Sequence, residues 1–323
     1  MFLLKKLRKK VEAGDRIGIA ISQEGLSIVH VVPSAVGKPY LSSARFHSSA
    51  SEEEYPSLVK KFIEELGLHG KTCVLVIPSA QYAAYMMEPP EVDDKEMKQA
   101  LAWQVKDYLD YPVENASIDY IDLPTISGKR LVYAVAANKR FVEKQVAWLN
   151  LMGLEVEAVN IGEFALRNIA SLLPENKKGL LFIHPAMVHS KIILVKDTLL
   201  YLLRDARVDL KSIVNEGYDI DDEVLVQMLE ELSLEVQRTL DYSVTRLQQN
   251  PAESIVISPQ VFKDLNESDK YNSLSNSASL PVRIMKLDEV FKIDSEIEYD
   301  VQCQTIIASG AALRYIDDSK KLR

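Results

Sequence analysis

His184 and His189 form the pair of side chains whose residue type comes nearest to a metal site. Residues five apart on an extended chain point to opposite sides, and Pro185 lies between them, so the spacing does not favour joint ligation of one ion. Surface or hydrogen-bonded positions are the better interpretation of the other three histidines. These are His30, His47 and His69. We predict no metal site.

No spacing in the chain matches a catalytic motif. The sequence contains no G-x-x-x-x-G-K-S/T loop, no G-x-S-x-G elbow and no H-E-x-x-H helix, and it has only 12 glycines. The carboxylates between Glu91 and Asp122 offer candidate acid and base pairs. They alternate around an amphipathic pattern, however, which favours a solvated face. We therefore predict no catalytic residue and expect the protein not to be an enzyme.

Charge and cysteine usage exclude further classes of protein. Lys and Arg total 38 against 47 for Asp and Glu, and the formal net charge of −9 disfavours binding to the phosphates of nucleic acid. Cys73 and Cys303 lie far apart without metal-ligand spacing. Buried free thiols in a reducing compartment are therefore expected.

No stretch of the sequence approaches the 18 uninterrupted apolar residues of a membrane span, because Lys191, Lys196 and Asp197 divide the longest apolar region. Residues 1–10 combine apolar residues with five cations but lack the apolar core and cleavage site of a signal peptide. This basic segment predicts weak peripheral contact with anionic lipid, and a solvated terminus is the alternative.

The length of 323 residues and the ordinary composition, 47% hydrophobic and 26% charged, predict two folded domains. Two β-rich runs, Arg16 to Ile21 and Leu26 to Val32, flank a turn and predict a hairpin. Thr72 to Ile77 predicts a buried strand after the helical periodicity of Tyr55 to Leu66. The strand-and-hairpin pattern returns after Leu180, which indicates two related lobes.

A separate module is predicted at about 81–156, with a strand, a helix, a hairpin and a second helix. Apolar residues on one face predict a helix over Glu91 to Asp110, with Asp93 or Asp94 as the N-cap. These apolar residues are Met97, Leu101, Val105, Tyr108 and Leu109. Trp103 lies off this face, and both an interface anchor and packing beneath the neighbouring hairpin are open interpretations.

The predicted domain plan has three parts. Residues 1–168 form the first lobe with its insert, 169–300 form the second lobe, and 301–323 form a closing helix that returns to the first lobe. Within the second lobe, the pattern predicts a long helix over Asp222 to Gln249 and a Ser/Asn-rich loop over Glu267 to Ser279.

Several stretches, in one order along nearly the whole chain, resemble those of a known family. They are Val76-Ile77-Pro78-Ser79, Met87-Glu88-Pro89-Pro90, the run from Gln104 to Glu114, Phe164-Ala165-Leu166-Arg167, the run from Glu235 to Tyr242, and the run from Ala308 to Arg314. The family is that of the PilM pilus-assembly proteins of the actin-like ATPase superfamily, and the chain most resembles the MshI branch that serves MSHA-type pili. The resemblance implies an α/β fold of two actin-like, ribonuclease H-like lobes with a small α+β insert in the first lobe.

The resemblance also implies an ATP site built from two hairpin loops and a glycine pair, because glycines let backbone N–H groups approach phosphates and aspartates hold the metal. This sequence departs from that pattern. The degenerate positions are Ala20 and Ser22 in the first loop, Ile183 and Pro185 in the second, and Ser258 and Pro259 in place of the glycine pair. We predict little or no ATP binding and no cofactor. The alternative is an unorthodox nucleotide-responsive ATPase, for which Glu235 and Arg238 are the residues to probe.

In the resembling family, the insert and its cleft hold the N-terminal tail of a bitopic membrane protein of the PilN type. The equivalent partner-binding groove here involves Tyr82, Met86, Trp103, Tyr108 and Tyr111. The resemblance therefore predicts a cytoplasmic scaffold that joins other pilus-assembly components at the inner membrane. Filament formation is a third interpretation, for which the sequence offers no direct sign.

Overall fold

The computed structural model of the protein describes residues 14–48, 51–125, 128–210, 222–245, 252–260 and 268–314. Residues 1–10, for which lipid contact and a solvated terminus are the two interpretations, lie outside these ranges. The chain divides into two compact units. The first unit runs through Ala165 and resumes at Thr305, and the second covers Leu166–Gln304.

The strands and helices follow one another in two series. The strands are β1 (Arg16–Ile21), β2 (Gly25–Val32), β3 (Tyr40–Ser48), β4 (Thr72–Val76), β5 (Tyr82–Met87), β6 (Ala116–Asp122), β7 (Val132–Asn138), β8 (Glu155–Asn160), β9 (Leu180–His184), β10 (Ser190–Lys196), β11 (Leu199–Ala206), β12 (Ser254–Ile257), β13 (Val282–Ile284) and β14 (Lys292–Ile293). The helices are α1 (Tyr55–Leu66), α2 (Met97–Val105), α3 (Lys139–Leu151), α4 (Gly162–Ala170), α5 (Asp222–Thr245), α6 (Asn272–Ala278), α7 (Tyr299–Gln304) and α8 (Ile306–Ala312). Among the residues described, no helix combines the length and apolar character that crossing a bilayer demands.

Five strands of the first unit pair in the order β3-β2-β1-β4-β8. Strand β1 runs antiparallel to β2 and parallel to β4, and all six of its residues are buried. Helix α8 packs across β1, β2 and β4. Small residues make this close packing feasible, since Ala308, Ser309, Gly310, Ala311 and Ala312 are all buried.

The insert of the first unit is built on a second sheet, with strand order β5-β7-β6. Helix α2 covers one face of this sheet through Met97, Leu101 and Val105, which pack against alternate residues of β7. Because side chains alternate along a strand, only Val132, Ala134 and Ala136 of β7 reach this core. The predicted strand, helix and hairpin are thereby confirmed.

Both ends of helix α2 differ from the prediction. The helix begins at Met97 rather than Glu91, and Asp93 accepts from the N–H groups of Glu96 and Met97 through its backbone carbonyl, so the predicted Asp93 or Asp94 side-chain cap is wrong. After Val105 the chain tightens into a 3₁₀ turn over Lys106–Tyr108. This change of winding turns Tyr108 off the apolar face, and Tyr108 is 66% exposed.

The sheet of the second unit has the strand order β11-β10-β9-β12-β13. Its strand directions match those of β3-β2-β1-β4-β8. In each sheet the central strand, β1 or β9, has an antiparallel hairpin on one side and parallel strands on the other. The sequence indicated a repeat of the strand-and-hairpin pattern. In the structure this repeat extends to the strand order and directions of both sheets.

Two predictions for the second half of the chain need correction. The part of the predicted Ser/Asn-rich loop that the structure describes is a 3₁₀ turn over Ser268–Tyr271 followed by α6, because Tyr271 and Leu274 are buried and anchor it. The closing helix predicted within residues 301–323 is present as α8 from Ile306, but residues 301–304 belong to the separate short helix α7, which ends before the buried Thr305.

Candidate functional site

The turn after β1 stands where the resembling family places its first phosphate loop. Ala20 is buried and brings no carboxylate to this position. The N–H of Ser22 donates to the carbonyl oxygen of Gly25 at 2.9 Å, and its hydroxyl accepts from the N–H of Glu24 at 3.2 Å. The polar atoms of Ser22 therefore close the hairpin itself, and neither Ala20 nor Ser22 supplies the carboxylate that the family pattern uses to hold the metal.

The ends of β9 and β12 in the second unit carry a closed set of hydrogen bonds. His184 Nδ1 lies 2.7 Å from Ser258 Oγ, and Gln260 Nε2 donates to the same oxygen at 3.2 Å. The N–H of Ser258 donates to the carbonyl oxygen of Ile183 at 2.8 Å, and Pro185 has no N–H to offer. The polar atoms at these strand ends thus bond to one another.

His184 gives the second unit a predicted dependence on pH. Its pKa is lowered to about 4, first by burial of the imidazole and second by the positive charge of Lys191. The folded state keeps His184 neutral, so the unfolded state binds the proton more readily and stability falls as the pH drops from about 6.5 to about 4. We expect a loss of about 3 kcal/mol across this window.

The variant His184→Asn tests this pH dependence, because asparagine keeps a hydrogen-bonding group without titrating. Urea unfolding of the wild type and the variant at pH 7 and pH 4.5, followed by circular dichroism, measures the loss in each. The variant should lose clearly less stability than the wild type. His189→Asn, at an exposed histidine, is the control and should keep the wild-type loss. An equal loss in His184→Asn would contradict the prediction.

Glu235 and Arg238, the residues to probe for an unorthodox nucleotide site, are joined to each other on α5. Arg238 Nη1 donates to Glu235 Oε1 at 2.6 Å, and Arg204 Nε donates to Oε2 at 3.1 Å. The Glu235 side chain is largely buried. The Glu235 carboxylate accepts hydrogen bonds from two guanidinium groups. The bond from Arg204 attaches α5 to β11, and this structural role explains the presence of both residues.

The residues that the structure describes give little support for a metal site or a reactive thiol. No group of three or more His, Cys, Asp or Glu residues lies among them with the spacing to hold a metal. His184 bonds to Ser258, whereas His189 Nδ1 lies 4.0 Å from the carboxylate of Asp209. Cys73 and Cys303 are buried free thiols, as predicted, and burial is the first cause that raises the pKa of each to about 12. Neither thiol is therefore activated as a nucleophile.

Strand β5 forms an edge of the insert sheet, and within the described residues it pairs only with β7. Its sequence, YAAYMM, contains neither a charged residue nor a proline. Tyr82 and Met86 share one face of the strand because side chains alternate. The hydroxyl of Tyr82 donates to the largely buried Glu163 of α4 at 2.6 Å. These two predicted residues therefore lie together beside a strand edge.

Tyr108 and Tyr111 gather around Tyr85, on the other face of β5. The rings of Tyr85 and Tyr108 have centroids 5.4 Å apart, and the Tyr85 hydroxyl donates to the carbonyl oxygen of Tyr108 at 3.0 Å. Burial raises the pKa of Tyr111, followed by the effects of the neighbouring Tyr85 and Asp110. The sequence reasoning missed Tyr85, although the period-two alternation of β5 was a signal for a second face.

Trp103 stands apart from both sets of residues. Helix α2 turns Leu101 and Val105 toward the sheet, and Trp103 lies on the opposite side of the helix, 65% exposed. The ammonium group of Lys106 lies 5.6 Å from its ring centroid. Packing of Trp103 beneath the hairpin is therefore wrong. The five predicted partner-binding residues do not form one groove but occupy two faces of β5 and the outer side of α2.

Comparison with known proteins bears on both the fold and the family. The chain resembles a structure from a PilM-PilN type IV pilus biogenesis complex, with 18% identity, a TM-score of 0.72, and coverage of 94% of this chain and 99% of that one. It also resembles a Bacteroides thetaiotaomicron protein of actin-like ATPase fold and unknown function, with 12% identity, a TM-score of 0.50, and coverage of 96% and 99%. These similarities confirm the predicted actin-like fold.

Family membership comes from the sequence itself. No curated protein matches the chain. A family profile described as "Type IV pilus assembly protein PilM" matches residues 45–208, just over half of the chain. The matched segment spans the whole insert and enters the sheet of the second unit. The protein belongs to the PilM family of type IV pilus assembly proteins.

Proposed function

We propose that the protein is a cytoplasmic scaffold of an inner-membrane pilus-assembly platform of the MSHA type, which binds the N-terminal tail of a PilN-like bitopic membrane protein. The observation that carries this proposal is the edge of β5. Natural edge strands are protected by charges, prolines, bulges or a covering element, and an uncharged edge invites pairing with another chain. Strand β5 has six uncharged residues in unbroken register with β7.

An extended peptide suits this edge for two reasons. Its backbone hydrogen bonds extend the sheet whatever its sequence, and its alternate side chains reach both faces of β5. One set meets Tyr82 and Met86, and the other meets Tyr85 and its tyrosine neighbours. Trp103, exposed on the outer side of α2, is proposed as a further anchor for the partner. The protein is then held at the inner membrane through its partner.

Binding of the synthetic N-terminal tail of a PilN-like protein from the same pilus system tests the proposal. Fluorescence anisotropy of the labelled peptide should show binding to the wild type. We expect Met86→Ala and Trp103→Ala to weaken it by about 5- to 30-fold, the usual cost of removing an apolar anchor. Leu151→Ala, at a side chain 81% exposed on α3, is the matched control and should bind normally. No binding by the wild type would reject the proposal.

We also propose that the nucleotide site is degenerate and that the protein is not an enzyme. Ala20 and Ile183 bring no carboxylate for magnesium, and the polar groups of His184, Ser258 and Gln260 are bonded to one another. Each lost charge-assisted hydrogen bond removes roughly 1.5–3 kcal/mol from the affinity for a triphosphate. Isothermal titration with ATP and magnesium should therefore show no binding. Micromolar affinity would instead favour an actin-like protein whose nucleotide state regulates pilus assembly.

A further inference from the structure

Three tyrosines and one carboxylate gather on the face of β5 that α2 also covers. Tyr85 and Tyr111 are half-buried, whereas Tyr108 presents most of its ring to solvent. The rings of Tyr85 and Tyr108 are tilted by 35° with their centroids 5.4 Å apart. Asp110 lies between Tyr108 and Tyr111 in the chain and is exposed. We call these four residues the tyrosine cluster.

The electrostatics of the tyrosine cluster favour a positive charge. The Tyr85 hydroxyl is already committed to the carbonyl oxygen of Tyr108, so ring faces rather than hydroxyl groups are what Tyr85 offers a ligand. The face of an aromatic ring attracts a cation within about 6 Å of its centroid. Within the described residues Asp110 forms no salt bridge, and its charge, after burial, raises the pKa of Tyr85. A carboxylate that acts on neighbouring tyrosines, together with their ring faces, suits a positively charged side chain.

Pairing of a peptide with the edge of β5 determines which of the peptide's side chains reaches the tyrosine cluster. In an added antiparallel strand, the residue opposite Tyr85 projects from the same face, with its Cβ about 5 Å from that of Tyr85. A long basic side chain at that position reaches the neighbouring ring and carboxylate, whereas the residues on either side point to the face of Tyr82 and Met86. Lysine and arginine are also enriched in cytoplasmic segments close to a membrane-spanning helix.

We infer that the tyrosine cluster is a binding site for a lysine or arginine side chain of the peptide that pairs with β5, carried by the residue opposite Tyr85. This inference rests on the proposed function and adds the chemical nature of the partner to it. It assigns Tyr85, Tyr108, Tyr111 and Asp110 to recognition of positive charge, and Tyr82 and Met86 to recognition of apolar residues. The partner peptide is therefore basic at one position and apolar at its neighbours.

A pair of small probes tests the charge recognition directly. The full chain, labelled with 3-fluorotyrosine and assigned by Tyr→Phe variants, is titrated with N-acetyl-arginine methylamide and with its neutral citrulline counterpart. We expect the ¹⁹F signals of Tyr85, Tyr108 and Tyr111 to shift with the arginine compound and not with citrulline. Asp110→Asn should weaken binding by about 2- to 5-fold, the usual effect of losing an exposed ion pair. Asp107→Asn, at an exposed carboxylate of the preceding 3₁₀ turn, is the control and should bind normally.

The outcomes separate this inference from the proposal on which it rests. Equal shifts with both compounds, or unchanged binding in Asp110→Asn, would overturn the charge recognition. If the PilN-like tail binds the wild type and Asp110→Asn equally well, the tyrosine cluster fails while the β5 edge proposal stands. If the arginine compound binds at the three tyrosines but no tail peptide binds, the cation site stands and the proposed function fails.

Discussion

Gly18→Ala is expected to destabilise the first unit by about 3 kcal/mol, at the upper end of the usual cost of overfilling a packed core. Gly18 lies in the middle of β1, where α8 crosses the sheet. A Cβ at this position would lie 2.0 Å from the carbonyl oxygen of Ala308 and 3.0 Å from Cγ2 of Val29. The closer neighbour is backbone, so no side-chain rotation relieves the clash, and α8 must move away from β1.

Tryptophan fluorescence during urea unfolding measures the stability of the first unit. Both tryptophans of the chain, Trp103 and Trp148, belong to the first unit. Gly162→Ala is the matched control, because a Cβ there meets only Cδ1 of Ile307, at an ordinary 3.8 Å. We expect Gly162→Ala to unfold at nearly the wild-type urea concentration and Gly18→Ala to unfold at a much lower one. A wild-type midpoint for Gly18→Ala would contradict the close packing of α8 on β1.

The packing of α8 on Gly18 shows what local sequence patterns can and cannot predict. Alternation and helical periodicity were enough to place β1, β2, β4 and α1 because their buried faces are continuous in sequence. The resemblance placed the degenerate positions of the first phosphate loop at Ala20 and Ser22, shortly after Gly18 in the chain, and gave Gly18 no role in packing. In the structure its small size serves α8, which is nearly 300 residues away in sequence. Contacts between such distant segments leave no periodic signal in either one.

The candidate site shows the same limit. The resemblance predicted Tyr82, Met86, Trp103, Tyr108 and Tyr111 as one groove, and the alternation along β5 did not say which of its faces meets Tyr108 and Tyr111. Two features outside any single pattern separated them. The pairing of β5 with β7 fixed which tyrosines share a face, and the 3₁₀ turn after Val105 rotated Tyr108 away from the core. The sequence also could not predict the strand order within the insert. Strands β5 and β6 both pair with β7, and sequence alone does not say which edge of the sheet remains open.

A second large effect is expected at a buried ion pair in the same unit. Arg16 of β1 and Glu157 of β8 reach across the intervening strand β4. Arg16 Nε donates to Glu157 Oε2 at 2.7 Å and Nη2 donates to Oε1 at 3.2 Å, with the two side chains 2% and 8% exposed. Glu157 is the extra residue of a bulge where β8 shifts register against β4. A bulge re-aims a side chain, which is how this carboxylate meets the arginine.

Glu157→Ala is expected to cost the first unit about 3–5 kcal/mol, because it leaves the guanidinium group of Arg16 buried without its counter-ion. Arg16→Met combined with Glu157→Leu removes both charges and should restore most of this loss, since a well-packed apolar pair can equal a buried ion pair in stability. Urea unfolding followed by tryptophan fluorescence compares the single and double variants. A double variant as unstable as Glu157→Ala would show that the loss comes from packing at the bulge. A double variant near the wild type would show that the pair itself adds little, and that its removal is costly only when one charge is left behind.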